Sequence, residues 1–304
     1  MNRDPGETAV AHKIYIGALR PLAAATYGEI TRRPVYSILL LSFAVAVFFS
    51  KLLALFSFQQ EMNLVREMGM ATITFWSFVI IVITSGVVVT QELEDRTAVT
   101  LLSKPVRRRD FLLGKFLGLV LAIVPGTFIL AGVLFLTLWM MALPHLPLSD
   151  TDLAPALADG RGPFGAVWSA VWNHFILTQG GVVLQGTLLS LFQSAILAAL
   201  AVSFSAFFPA AVSAAATTLA FILGNISSYM LASVENMNVT VLSWTGQALA
   251  TVLPNLGYFN LQTNFSEGRI ISVRYLGLSF AYAALFVGAV FLVSCSLFRK
   301  REVR

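Results

Sequence analysis

The sequence predicts an all-α polytopic membrane protein, and three observations carry that prediction. The 304-residue chain is 57% hydrophobic and only 12% charged, with a mean hydropathy of +0.80, whereas soluble domains carry about 25% charged residues. Its apolar residues fall in long runs: 68–90, 116–143 and 162–234 contain no Asp, Glu, Lys or Arg. A spanning helix needs about 20 such residues, and the last of these runs is long enough for two. Thirdly, no barrel-type alternation is visible, and lipid leaves helices as the other way to satisfy every backbone group.

Taken in order, residues 1–20 read as a polar tail with scattered charges and no apolar run of the signal-peptide kind, so no cleaved leader is expected. Residues 21–304 read as a single six-span domain. Pro21 suits a first helical position and Pro34 closes the segment, which predicts a short helix over 21–32. Ala23, Tyr27 and Ile30 share one face of it, with Thr26, Glu29 and Arg33 beside them. The segment is therefore expected to lie along the membrane surface. Spans are predicted at 35–56, 70–90, 111–143, 184–208, 210–234 and 275–298. Pro209 separates the fourth from the fifth by a tight turn. Pro125 and Gly126 are expected to kink the third, and Gly114 and Gly118 give it a close-packing face. Outer segments are expected at 144–183 and 235–274, the second with a short helix over 241–253 ended by Pro254, Asn255, Leu256 and Gly257.

Orientation follows from the twenty Lys and Arg residues. With the N-terminus inside, fifteen of them fall on the cytoplasmic side, clustered at 3–33, 96–115 and 299–304. Lys51, Arg66, Arg161, Arg269 and Arg274 fall outside. This bias predicts that both termini are cytoplasmic. It also accounts for the net charge of +5 without a nucleic-acid partner. The single cysteine, Cys295, excludes an internal disulfide and a cysteine metal cluster.

Charge is concentrated in a polar island at 90–115. Residues 91–103 can form a short acidic helix with Leu93, Thr97 and Leu101 on one stripe, and Pro105 stops it. Asp110 can cap a helix restarting at Phe111, which places Lys115 at headgroup level. A helix–turn–helix between two spans can act as a lever for a moving partner; a solvated loop obeying the positive-inside rule is the alternative. The spans carry almost no ionisable groups, which a proton-coupled carrier would need. The chain also lacks a Gly-x-x-x-x-Gly-Lys-Ser/Thr phosphate loop, so ATP hydrolysis is not expected from it.

The residues of this island resemble a known family. Thr90-Gln-Glu-Leu-Glu-Asp-Arg-Thr97, Leu101-Leu-Ser-Lys-Pro-Val-Arg107 and Asp110-Phe-Leu-Leu-Gly-Lys115 are similar to the coupling segment of type-2 ATP-binding-cassette permeases, in particular the multicopper-enzyme-maturation branch. Thr26-Tyr-Gly-Glu29 with Arg32 and Arg33, Arg66-Glu-Met-Gly69 and Leu253-Pro-Asn255 extend the likeness. The resemblance implies a permease subunit, neither catalytic nor cofactor-binding itself, that pairs with a second permease subunit as a homodimer or heterodimer. It also implies a separate cytoplasmic ATPase that carries the ATP and Mg. By position, Glu92, Glu94, Arg96 and Thr97 would lie in or beside the docking helix, with Arg107, Arg108 and Arg109 flanking it. An exporter in a prokaryotic inner membrane is the expectation; a secondary carrier or channel, or a non-transporting assembly scaffold, are the alternatives.

Candidates for a translocation path are small polar residues on helical stripes: Thr74, Ser77 and Thr84 in the second span, and Ser213, Thr217, Asn225 and Ser228 in the fifth. Gln185 and Gln193 add two amides in the fourth. The same residues could instead bind helices together, at an average of about 0.6 kcal/mol each. His145, His174 and the aspartates of the first outer segment match no metal-ligand spacing.

Overall fold

The computed structural model describes residues 19–54, 61–86, 108–142, 177–234, 254–260 and 270–301. Helix α1 covers residues 19–31. It is followed by α2 (Pro34–Ala54), α3 (Glu61–Thr84), α4 (Arg108–Ala142), α5 (Leu177–Ser205), α6 (Ala210–Val234), a 3-10 turn (Leu256–Phe259) and α7 (Val273–Arg301). Helices α2 to α7 are each long and apolar enough to cross a membrane. No strand occurs among the described residues, so the fold is all-α and multi-pass.

Several boundaries differ from the expected ones. Helix α3 begins at Glu61, nine residues before the predicted 70. Glu61, Arg66 and Glu67 mark where charge-free sequence starts, but charge does not end a helix, and Glu, Met, Leu and Arg are strong helix formers. The α-helix ends at Thr84; the predicted end, 87–90, lies outside the described residues. Helix α5 starts at Leu177, inside the expected outer segment, and stops at Ser205. Helix α4 has begun by Arg108, so Asp110 lies in its first turn and does not cap a restart at Phe111. There its carboxylate still faces the positive end of the helix dipole. Helix α1 is already helical at residue 19, ahead of Pro21. Pro125 lies within a helix that runs unbroken from Arg108 to Ala142. Residues 1–18 of the predicted tail, the 90–107 part of the polar island, the 241–253 helix and His145 and His174 lie outside the described residues, while residues 19 and 20 of that tail belong to α1.

Close contacts fix an up-and-down arrangement. At one end, Tyr36 near the start of α2 donates to Ala122 O in the first half of α4, 2.9 Å. At that end too, Gly86 beyond α3 approaches Ala210 at the start of α6, and Phe116 of α4 packs edge-on against Phe291 of α7 at 5.1 Å. At the other end, Gly69 near the start of α3 meets Leu134 of α4, and Gln185 of α5 bonds Ile271 just before α7. Helix α1 and the connection 87–107 therefore share one end of the bundle. Helix α5 is central: 67% of its most apolar stretch is buried, against 17% for α2 and for α7. The outward faces of those two, with Ile38, Leu41 and Phe49 or Leu278, Leu285 and Leu292, are what lipid requires.

The α5–α6 hairpin turns at residues 206–209. Phe208 N–H bonds Phe204 O at 2.9 Å, and Ser213 N–H restarts the ladder on Pro209 O at 2.9 Å. Ser213 Oγ lies 3.2 Å from Ser205 Oγ across it. The middle of the bundle is closed by aromatic packing on glycine. Trp76 of α3 is fully buried and lies directly over Gly126 of α4, edge-on to Tyr36 at 5.8 Å.

Candidate functional site

A cavity of about 390 Å³ opens between α3, α5, α6 and the 3-10 turn. Helix α3 contributes Met70, Ala71, Thr74 and Phe75; α5 contributes Gly186, Ser190 and Gln193; α6 contributes Phe221 and Asn225; the turn contributes Phe259 and Asn260. None of these residues is charged. Gln193 Nε2 donates to Asn225 Oδ1 at 3.3 Å, and Asn225 Nδ2 donates to Phe221 O at 2.9 Å. The hydroxyls of Thr74 and Ser190 donate to carbonyls of their own helices, Met70 O at 3.1 Å and Thr187 O at 3.2 Å. Phe221 stacks on Phe78 at 4.2 Å and 16°, which ties α6 to α3 beside the cavity.

The turn closes one side. Leu256 and Phe259 are buried, and Leu256 and Pro254 O press on Gly224 of α6, where no side chain would fit. Gly224 is the fifteenth residue of α6, so the turn reaches a level about 21 Å along that helix at ~1.5 Å per residue. This is non-helical backbone at membrane depth, tolerated because protein surrounds it. Several of its polar groups have partners. Asn255 Oδ1 accepts from Gly257 N at 3.1 Å, and Asn255 N–H donates to Tyr282 Oη at 3.0 Å. Asn260 N–H donates to Gly257 O at 3.1 Å, and Tyr275 Oη donates to Tyr258 O at 2.7 Å.

The second feature is the α1–α4 contact at the end that carries the 87–107 connection. Gly118 lies against Thr26 and Ala23 O, and Gly114 against Leu22. The Gly-x-x-x-Gly face is thus where α1 packs. Ala23, Thr26 and Ile30 are buried there, whereas Tyr27 is exposed, one step off the expected stripe. Lys115, expected at headgroup level, is buried with only 3% of its side chain exposed, and its Nζ is 3.8 Å from Glu29 Oε2. Arg33 reaches Glu29 Oε1 at 2.7 Å. A buried ammonium is tolerable only with such partners.

Of the residues predicted for a translocation path, the structure brings Thr74 and Asn225 together at the cavity, with Gln193 beside them. Ser77, Thr84, Ser213 and Thr217 are buried away from it. Ser77 bonds Ile73 O at 3.1 Å and Thr217 bonds Ser213 O at 2.8 Å. The side chain of Ser228 lies outside the described residues. Gln185 forms a two-bond clamp: its Nε2 donates to Ile271 O at 3.0 Å and its Oε1 accepts from Ile271 N–H at 2.8 Å. Glu92, Glu94, Arg96, Thr97 and Arg107 lie outside the described residues, as do the side chains of Arg108 and Arg109. Sequence reasoning missed Ser190, Asn260 and the aromatic lining. The Gln193–Asn225 pairing was readable: both it and Ser205–Ser213 are symmetric about Pro209, the register that a tight hairpin imposes.

Fold and site together define a multi-pass helical membrane protein with a cavity whose described lining carries no charged residue. Residues 30–158, from the end of α1 through α4 and beyond, match the family described as ABC-2 family transporter protein. That likeness covers less than half of the chain. No curated protein matches the chain.

Proposed function

We propose that this chain is the permease subunit of an ATP-driven exporter in a prokaryotic inner membrane, with both termini cytoplasmic. It works by alternating access alongside a second permease subunit. ATP and Mg are bound on a separate ATPase, which docks on the 90–107 connection through Glu92, Glu94, Arg96 and Thr97, flanked by Arg107, Arg108 and Arg109. The observation that carries the reading is the family match over 30–158, which spans that connection and both helices flanking it. The uncharged cavity supports it, because it offers a gradient-driven carrier no titratable group to load. The likeness to the multicopper-enzyme-maturation branch belongs to this reading and rests on the residues of 90–115. Thr74, Asn225 and Gln193 are the residues on which cargo would act.

The test is to purify the full chain from its native membranes and measure ATP hydrolysis with and without the double change Glu94→Arg and Arg96→Glu. The expected result is ATPase activity that co-purifies with the native chain, is at least tenfold lower with the altered one, and is absent once the partner is stripped away. Hydrolysis by the stripped chain would overturn the division of labour. Unchanged co-purification with the altered chain would overturn the docking assignment.

A further inference from the structure

We infer that the cavity between α3, α5, α6 and the 3-10 turn binds an uncharged organic molecule with an apolar body and a polar head that both donates and accepts hydrogen bonds. That this molecule is cargo rests on the permease reading; the binding rests on the cavity alone. The volume, about 390 Å³, lies in the range of small-molecule sites, roughly 300–1,000 Å³. A charged ligand would lose its hydration and find no opposite charge among the described wall residues, a large penalty in a low-dielectric interior. Arg66 is buried, but it stands a full helical turn beyond Met70 and is not part of the lining. Among the described lining residues a metal ion would find one thioether, from Met70, and no carboxylate, imidazole or thiolate.

The hydrogen-bond inventory sets the polarity of the ligand. Both wall hydroxyls spend their hydrogens on helix carbonyls, which leaves Thr74 Oγ1 and Ser190 Oγ with lone pairs and no proton to give. Gln193 donates to Asn225 and accepts nothing among the described residues, so its Oε1 is a further acceptor. Gln193 and Asn225 each have a second amide N–H beyond the one already bonded, so the described wall offers both acceptors and donors, and the complement is a head that does both, such as a primary amide. Phe75, Phe221 and Phe259 then supply the apolar surface that holds its body.

The probes are three ten-carbon chains of nearly equal shape: decanamide, decanoate and decylammonium. The full chain carrying Cys295→Ser and Thr74→Cys is placed in lipid nanodiscs, and the rate of N-ethylmaleimide modification is measured. Saturating decanamide should slow it at least tenfold, while decanoate and decylammonium should change it less than twofold. Gln193→Leu should reduce the protection at least threefold. Ser190→Cys, on the opposite wall, serves if Thr74→Cys does not fold. The otherwise native chain, labelled at Cys295 on α7, controls for partition into lipid and should show no protection. The inference is overturned if a charged probe protects as well as decanamide, if none protects, or if Cys295 is protected equally. Stimulation of ATP hydrolysis by decanamide, measured separately on the chain with its co-purified partner, reports on the permease reading. Binding without any such hydrolysis would sink that reading and leave this inference standing.

Discussion

Replacing Gly126 with alanine probes the centre of the bundle. A Cβ built there would lie 1.9 Å from Trp76 Cη2, 2.5 Å from Cζ2 and 2.8 Å from Cζ3. Carbon atoms rest about 3.5–4.0 Å apart, so ring and helix must separate by roughly 1.6 Å or more. The ring has nowhere to go. Trp76 is fully buried and lies against Tyr36, which is itself bonded to Ala122 O one turn before Gly126. Overpacking costs about 1–3 kcal/mol, and the cost here should reach the top of that range. About 3 kcal/mol is a change of roughly 150-fold in the folding equilibrium. The assay is reversible unfolding in dodecyl maltoside titrated with sodium dodecyl sulfate, followed by circular dichroism. Trp76→Phe deletes the outer ring atoms that clash, so Gly126→Ala with Trp76→Phe should recover about 1.5 kcal/mol or more over Gly126→Ala alone. Trp76→Phe also removes an indole N–H that is buried without a partner among the described residues, which offsets part of its own packing loss. Gly132→Ala is the control: nothing lies within 4 Å of its Cβ position, and helix propensity favours alanine by about 1 kcal/mol or less. A Gly126→Ala protein within about 0.5 kcal/mol of native, or no recovery with Trp76→Phe, would refute the packing argument.

Glu29→Gln should loosen α1 from α4. Removing one partner of a fully buried pair costs about 3–5 kcal/mol. Glu29 is about one-third exposed and Lys115 keeps a further interaction, so about 1–2 kcal/mol is expected after solvent screening. Faster proteolysis between α1 and α2 would show it, and an unchanged rate would place the contact among the neutral surface pairs. Gln185→Leu removes both bonds to Ile271 and leaves a backbone N–H and carbonyl unpaired, at about 1–3 kcal/mol. Amide hydrogen exchange at Ile271 should accelerate at least tenfold while exchange in α3 stays unchanged; equal protection in both proteins would mean that the clamp is dispensable.

The helices were legible in the sequence because lipid allows so few alternatives: charge-free runs mark spans whatever packs against them. Their ends were less so, and α3 shows why, since charged residues end the hydrocarbon but not the helix. The Gly114–Gly118 face was readable as a contact surface but not its occupant, because glycine spacing names no partner. The cavity was half readable. Thr74 and Ser77 share a stripe at three-residue spacing, yet they differ by about 60° around the axis, enough for one to line the cavity and the other to be buried beside it. Gly186, Ala71 and Phe259 give no polar signal at all. Their presence at the site is a consequence of how α3, α5 and the turn meet, which single-helix patterns do not encode.

The neighbours of each wall decide how work done at one end of the bundle could reach the cavity. Helix α4 emerges from the 87–107 connection and carries α1 with it through Gly118 and the Lys115–Glu29 pair. Its principal neighbours are α2, α3 and α5. Two of these, α3 and α5, are cavity walls, whereas the other walls, α6 and the 3-10 turn, pack on α3, α5 and each other. On the permease reading, a displacement of α4 therefore acts first on α3 and α5 and reaches α6 and the turn only through them. Helices α5 and α6 are tied at the 206–209 hairpin and through Ser205 and Ser213; beside the cavity, the boundary between the two sets is crossed by the Gln193–Asn225 bond, at 3.3 Å the longer end of the hydrogen-bond range, and by the Phe78–Phe221 stack. A single neutral bond of that kind contributes about 0.5–1.5 kcal/mol. The walls should part at Gln193 and Asn225, the same two amides that face the ligand, so binding a ligand there and opening the seam draw on the same amide pair.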